Sequence, residues 1–178
     1  MKKLITITVL LLLTGLLTLS CGGDKKPEPK EVGTDTLTTA EKTADFALLP
    51  TANRVPGSEK FVESRFLDVP ELNFVYTADY NISGDKFQLF MTRDYSGIKY
   101  INLRAAAGST GDLESCPAPV VFDDDYGFAY DHPDYGPITV GLKNSRLVGI
   151  MGTDSKIPVT VFAAWVTHLP KPIPPAKE

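Results

Sequence analysis

The sequence predicts an α+β domain: an antiparallel β-sheet built from hairpins, with a C-terminal helix and a short N-terminal one. Three observations carry this expectation. The stretches 73–92 and 138–151 are rich in aromatic and β-branched residues, and each is interrupted once by residues suited to turns. An apolar stripe at helical spacing runs from Val159 to Leu169. Strands grouped in hairpins, with helices near the ends, mark an α+β architecture rather than a parallel sheet.

At the start of the domain, Thr38 and Glu41 have the spacing of a capping box. Ala40, Ala44, Phe46, Ala47 and Leu48 would line the helix that follows, and Pro50 would end it. Asn73 to Tyr80 has strand composition. From Lys86 to Thr92 the pattern alternates, with Phe87, Leu89 and Met91 on one face and Lys86, Gln88 and Thr92 on the other. Phe90 breaks it. Between the two strands, Asn81-Ile82-Ser83-Gly84-Asp85 supplies turn chemistry, because Gly, Asn and Asp tolerate positive φ.

Residues 95–107 read two ways. Ile98, Ile101 and Ala105 mark a helical face, while Tyr100 and Asn102 fit an alternating strand. A loop is expected over 108–112, and Pro119 with 120–122 suggests another strand. The segments 138–143 and 147–151 flank Asn144-Ser145-Arg146 as a second hairpin. Asp154 is placed to cap the last helix, with Pro158 in its first turn. That helix would bury Val159, Phe162, Ala163, Val166 and Leu169. The Pro-rich stretch 171–178 reads as an extended tail.

A chain of 178 residues suits one modest domain plus export and tethering segments. Its 43% apolar and 22% charged residues are close to ordinary globular usage, so a packed core is expected. The formal charge is −4; without Lys2 and Lys3, 16 Lys+Arg stand against 22 Asp+Glu, a balance of −6. Such a chain lacks the basic face that nucleic-acid binding requires. The same balance disfavours electrostatic adhesion to anionic lipid, so any membrane contact must come through an anchor.

Residues 4–19 are almost wholly apolar, follow Lys2 and Lys3, and lead into Ser20 and Cys21. A spanning helix needs about 20 apolar residues; this shorter run has the layout of a secretory signal. Leu17-Thr18-Leu19-Ser20-Cys21 resembles the lipobox of bacterial lipoproteins, with Thr18 where that family usually carries Leu. The resemblance implies cleavage after Ser20 and lipid, palmitate included, on Cys21, which becomes the new N-terminus. In lipoproteins of double-membraned bacteria, Asp directly after the lipidated Cys tends to retain the protein at the inner membrane. Here that position is Gly22, with Asp24 two residues on, so the resemblance favours the outer membrane of the cell envelope. The expected organisation is a signal peptide over 1–20, a lipidated Cys and flexible tether over 21–39, one domain over 40–170 and a tail over 171–178. Gly, Lys, Pro, Glu and Thr dominate the tether, which cannot build a core.

With Cys21 lipidated, Cys116 has no disulfide partner, and nothing cationic lies beside it in sequence to activate its thiol. It reads as a small, inert residue. Asp123, Asp125, Asp131 and Asp134 are hard oxygen ligands that could collect calcium, and His132 extends the choice toward a transition metal. The spacing fails the EF-hand pattern, since Phe128 stands where Gly is required. Tyr126, Phe128, Tyr130 and Tyr135 are candidates for a partner surface, or in part for one buried face of a strand. His168 suits the C-terminal end of the last helix. Neither a GxSxG elbow, an HExxH pair nor a P-loop occurs in the sequence. The function expected is a non-enzymatic, lipid-anchored envelope module that binds a protein partner or surface component. The alternative is a small-ligand or calcium-binding domain using residues 123–135.

Overall fold

Two tight turns set the sheet. Ser83 and Gly84 take φ of 54° and 99°, and Asn144 and Ser145 take 48° and 64°. Positive φ at both central residues gives a turn whose twist matches that of the flanking strands. The turns join β2 (Val75–Ile82) to β3 (Asp85–Thr92), and β5 (Gly136–Lys143) to β6 (Arg146–Met151). The first is therefore a two-residue turn, shorter than the five-residue stretch expected. Asn81 and Ile82 continue β2, and Asp85 opens β3.

The computed structural model describes residues 38–92 and 97–171, without the side chain of Asp125. Contacts divide the chain into the units Met1–Thr36 and Leu37–Glu178. The expected signal peptide, Cys21, nearly all of the expected tether and residues 172–178 lie outside the described residues, as does Tyr95.

With β1 (Lys60–Val62) and β4 (Gly127–His132), the strands form a six-stranded sheet in the order β1-β2-β3-β6-β5-β4. Every neighbouring pair is antiparallel. Helices α1 (Thr39–Phe46), α2 (Gly97–Thr110) and α3 (Lys156–His168) complete the expected α+β architecture. Among the described residues no helix is long and apolar enough to cross a membrane.

Both faces of the sheet are covered, which explains why Phe90 breaks the alternation of β3. Tyr76, Leu89, Met91, Val148 and Ile150 pack on one side against Val159, Phe162 and Val166 of α3. Val75, Phe90, Phe128, Tyr130, Ile138, Val140 and Leu147 pack on the other against Tyr100, Leu103 and Ala107 of α2. Phe90 is as deeply buried as Leu89 and Met91, on the opposite side. Complete burial of one such side chain contributes about 1.5–3 kcal/mol.

Helix α1 starts as its cap dictates. The Glu41 N–H donates to Thr38 Oγ1 at 3.3 Å, and the Thr38 N–H to Glu41 Oε2 at 2.9 Å. Thr38→Ala is expected to cost about 1 kcal/mol, read as a lower urea midpoint with unchanged slope. The expected apolar face is corrected in part: Ala40, Ala44 and Ala47 are exposed, whereas Phe46 and Leu48 pack half-buried against the core, and Asp45 and Leu49 are buried. So short a helix docks through its end, where Phe46 meets Tyr76 edge-on at 5.0 Å.

Residues 97–110 are helical, but the face is not the expected one. Ile98, Ile101 and Ala105 point outward, whereas Lys99, Tyr100, Leu103 and Ala107 are buried. Tyr100, Leu103 and Ala107 follow the i, i+3, i+7 spacing that seats a helix on a surface. Burial of Lys99 is compensated by its Nζ, which donates to the Asn73 carbonyl at 3.0 Å. Gly108, Ser109 and Thr110 extend the helix into the stretch expected to be loop.

Three further expectations are corrected. β2 begins at Val75, not Asn73, because Phe74 takes a φ of 55° and leaves the strand conformation. Residues 120–122 form no strand; Val120 and Phe122 are core residues preceding the 3₁₀ turn Asp123–Asp125. Ser155, not Asp154, is the cap residue of α3. Pro158 does lie in the first turn, and Val159, Phe162, Ala163, Val166 and Leu169 are buried as expected, joined by Trp165.

Candidate functional site

The strand register gathers polar side chains at the hairpin pole of the sheet. Asp79 lies opposite Gln88 and Asn81 opposite Lys86, while Gln88 is also opposite Met151. These four polar residues alternate with Tyr80 and Phe87, so they project from the sheet face that carries α2. The β4–β5 turn adds Asp134 and Tyr135, and Gly152 follows β6. Along the rim of β2, the Val55 N–H donates to the Asp79 carbonyl at 2.8 Å and the Asn81 N–H to the Asn53 carbonyl at 3.0 Å. Together these elements enclose an open groove of about 600 Å³, with Val55 and Tyr135 among its walls.

Hydrogen bonds hold the floor in place. Gln88 Nε2 donates to Asp79 Oδ1 at 2.6 Å, and the Gly84 N–H donates to Asn81 Oδ1 at 3.0 Å. Tyr80 donates its hydroxyl to the Pro50 carbonyl at 2.7 Å, and burial pushes its pKa up. The turn itself is braced by His132, whose Nδ1 accepts from the Asp134 N–H at 3.1 Å. The His132 ring lies 4.8 Å from that of Tyr135. A second depression of about 290 Å³ lies between α2 and the same turn, and Asp134 lines both.

The sequence-derived metal candidates divide between two poles. Asp123 accepts a hydrogen bond from the Asn144 N–H and pairs with Lys143 Nζ at 3.1 Å, beside the β5–β6 turn. At the hairpin pole, His132 is the last residue of β4, exposed Asp131 the one before it, and Asp134 lies in the turn that follows. A six-residue strand spans about 20 Å, too far for Asp123 to share an ion with them. Asp125 follows Asp123 in the 3₁₀ turn Asp123–Asp125. No group of three or more His, Cys, Asp or Glu is placed to hold a metal among the described residues.

The candidate partner surface is corrected in half of its residues. Phe128 and Tyr130 are 1% and 5% exposed and belong to the core against α2. Tyr126 and Tyr135 are exposed at 49% and 42%, but on either side of β4 rather than together. Only Tyr135 and Asp134 of the candidates line the groove. Asp79, Asn81, Lys86 and Gln88 were legible only as the polar side of two strands.

Other reactive groups are scattered. His168 Nδ1 lies 2.7 Å from the Ala164 carbonyl at the end of α3, near the pole opposite His132. Cys116 is half-buried beside Phe122 and Gly127, and burial pushes its thiol from the ordinary 9.0 up to about 11. Iodoacetamide at pH 8 is expected to modify Cys116 about 100-fold more slowly than an unperturbed cysteine, measured on the Cys116 peptide by mass spectrometry. The rate should climb until pH approaches 11. Since the folded state holds this proton more tightly, the thiol's contribution to stability is full below pH 9 and lost by about 11.

No protein-family model, no curated protein and no solved structure matches the chain.

Proposed function

We propose that this chain is a lipid-anchored protein of the bacterial cell envelope, whose domain is a non-enzymatic binding module. Its groove at the hairpin pole would engage an envelope partner or surface component. The lipobox-like Leu17-Thr18-Leu19-Ser20-Cys21 supports the anchor, and Gly22 after Cys21 favours the outer membrane.

The observation that carries the binding reading is the groove's position. Asp45 of α1 faces Arg146, and Arg146 donates to the Pro170 carbonyl at 2.6 Å. The first helix of the domain and the end of its last helix therefore meet at the β5–β6 pole. The groove opens at the other pole, away from this junction of the domain's first and last helices. Separation of His132, His168 and Cys116 supports a binding role over nucleophilic or acid–base chemistry.

Two measurements test the reading. Cys21→Ala is expected to abolish palmitate labelling and move the protein from the membrane to the soluble fraction; retention in the membrane would overturn the anchor. A photo-crosslinker replacing Lys86 should yield a discrete adduct in cells that disappears with Cys21→Ala. Absence of any adduct there, when the same probe at Ile98 also yields none, would overturn the groove as the contact site.

A further inference from the structure

We propose that the groove between Val55 and Tyr135 binds a neutral saccharide. This rests on the binding-module reading above and names the ligand class of the same groove. The groove's volume of about 600 Å³ lies within the range of small-ligand sites. Val55 and Tyr135, 40% and 42% exposed, give it apolar walls. Between them lie a carboxylate, two carboxamides and an ammonium, from Asp79, Asn81, Gln88 and Lys86.

Charge and solvation narrow the ligand. An anionic ligand meets the carboxylates of Asp79 and Asp134 against the single ammonium of Lys86. A cationic ligand meets the ammonium of Lys86, which offsets one of the two carboxylates, Asp79 and Asp134, and Gln88 already occupies one Asp79 oxygen. An acyl chain would strip water from four polar side chains and return no hydrogen bond. A sugar ring meets every wall: its apolar C–H face stacks on an aromatic ring, and its rim hydroxyls both donate and accept. Carboxamides offer both functions and carboxylates accept from two oxygens, which suits neighbouring hydroxyls. The Gln88–Asp79 and Gly84–Asn81 hydrogen bonds hold those groups in position before a ligand arrives, which lowers the ordering cost of binding.

The test uses the full chain, purified in a zwitterionic detergent free of sugar headgroups. It is titrated calorimetrically with maltotetraose, cellotetraose, chitotetraose and mannotetraose. Saturable binding of at least one is expected, weakened about tenfold by Tyr135→Ala and by Gln88→Ala. Ile101→Ala, on the outward side of α2, should leave the affinity unchanged, and equal melting temperatures establish that the variants are folded. No saturation with any of the four at millimolar concentration would overturn the proposal, as would binding that ignores both groove substitutions. If that happens while the Lys86 crosslinker still captures a discrete protein adduct, the saccharide assignment falls and the binding module stands. If neither ligand nor adduct is found, both fall.

Discussion

Gly149→Ala is expected to destabilise the domain by about 1–3 kcal/mol, although the same change in an unobstructed strand would stabilise it. Removing a glycine's conformational freedom ordinarily favours a strand by about 0.5–1 kcal/mol. The close approach of a ring reverses the sign here. Gly149 pairs directly with Phe90 in the centre of the sheet, and a Cβ on it would lie 2.2 Å from Phe90 Cζ. Phe90 cannot yield, being 0% exposed and packed against Phe66 at 5.0 Å between ring centroids. Urea unfolding is the measurement, with the midpoint falling and the slope unchanged. The double variant Gly149→Ala with Phe90→Leu should lose less than the sum of the two singles, because the smaller side chain makes room. Additive losses would mean that the ring is not what opposes the methyl group.

Arg146→Met is expected to cost about 3 kcal/mol, because it removes the buried cation that faces a buried acid. Arg146 and Asp45 are only 6% and 9% exposed. Burial draws the guanidinium's pKa below its ordinary value, and the Asp45 carboxylate opposes that shift. Arg146 also holds the Pro170 carbonyl, while its Nε finds no hydrogen-bond partner among the described residues. The group is thus costly to bury and costlier still to remove alone. Replacing both charges, as Asp45→Leu with Arg146→Met, should recover at least about 1 kcal/mol relative to the sum of the singles. A single-variant loss within about 0.5 kcal/mol, the range of ordinary surface substitutions, would show that the first and last helices are not joined through this pair.

Some of the molecule was decided locally and was therefore legible. The capping box at Thr38, the turns at Ser83-Gly84 and Asn144-Ser145, and the buried stripe of α3 each depend on residues a few positions apart. Short-range sterics and hydrogen bonding determine such features before any tertiary contact forms. The lipobox-like segment is equally local, and the anchor proposed from it rests on sequence alone.

What the tertiary structure decided involves surfaces that only assembly brings together. Ile98 and Ile101 mark an apolar side of α2, yet the sheet receives Tyr100 and Leu103, because burial follows the partner's shape and Lys99 can be compensated by a carbonyl. Asp123 resembled a metal ligand among its neighbours, but extension of β4 carried it to the opposite pole, where it ties down the β5–β6 turn. The groove is the clearest case. Tyr135 is distant in sequence from the hairpin pair Asp79 and Gln88, and joins them in a common wall only through the order β2-β3-β6-β5. Periodicity reports which side of an element is polar. Only long-range pairing determines whether that side meets water, a second layer of core, or the floor of a site.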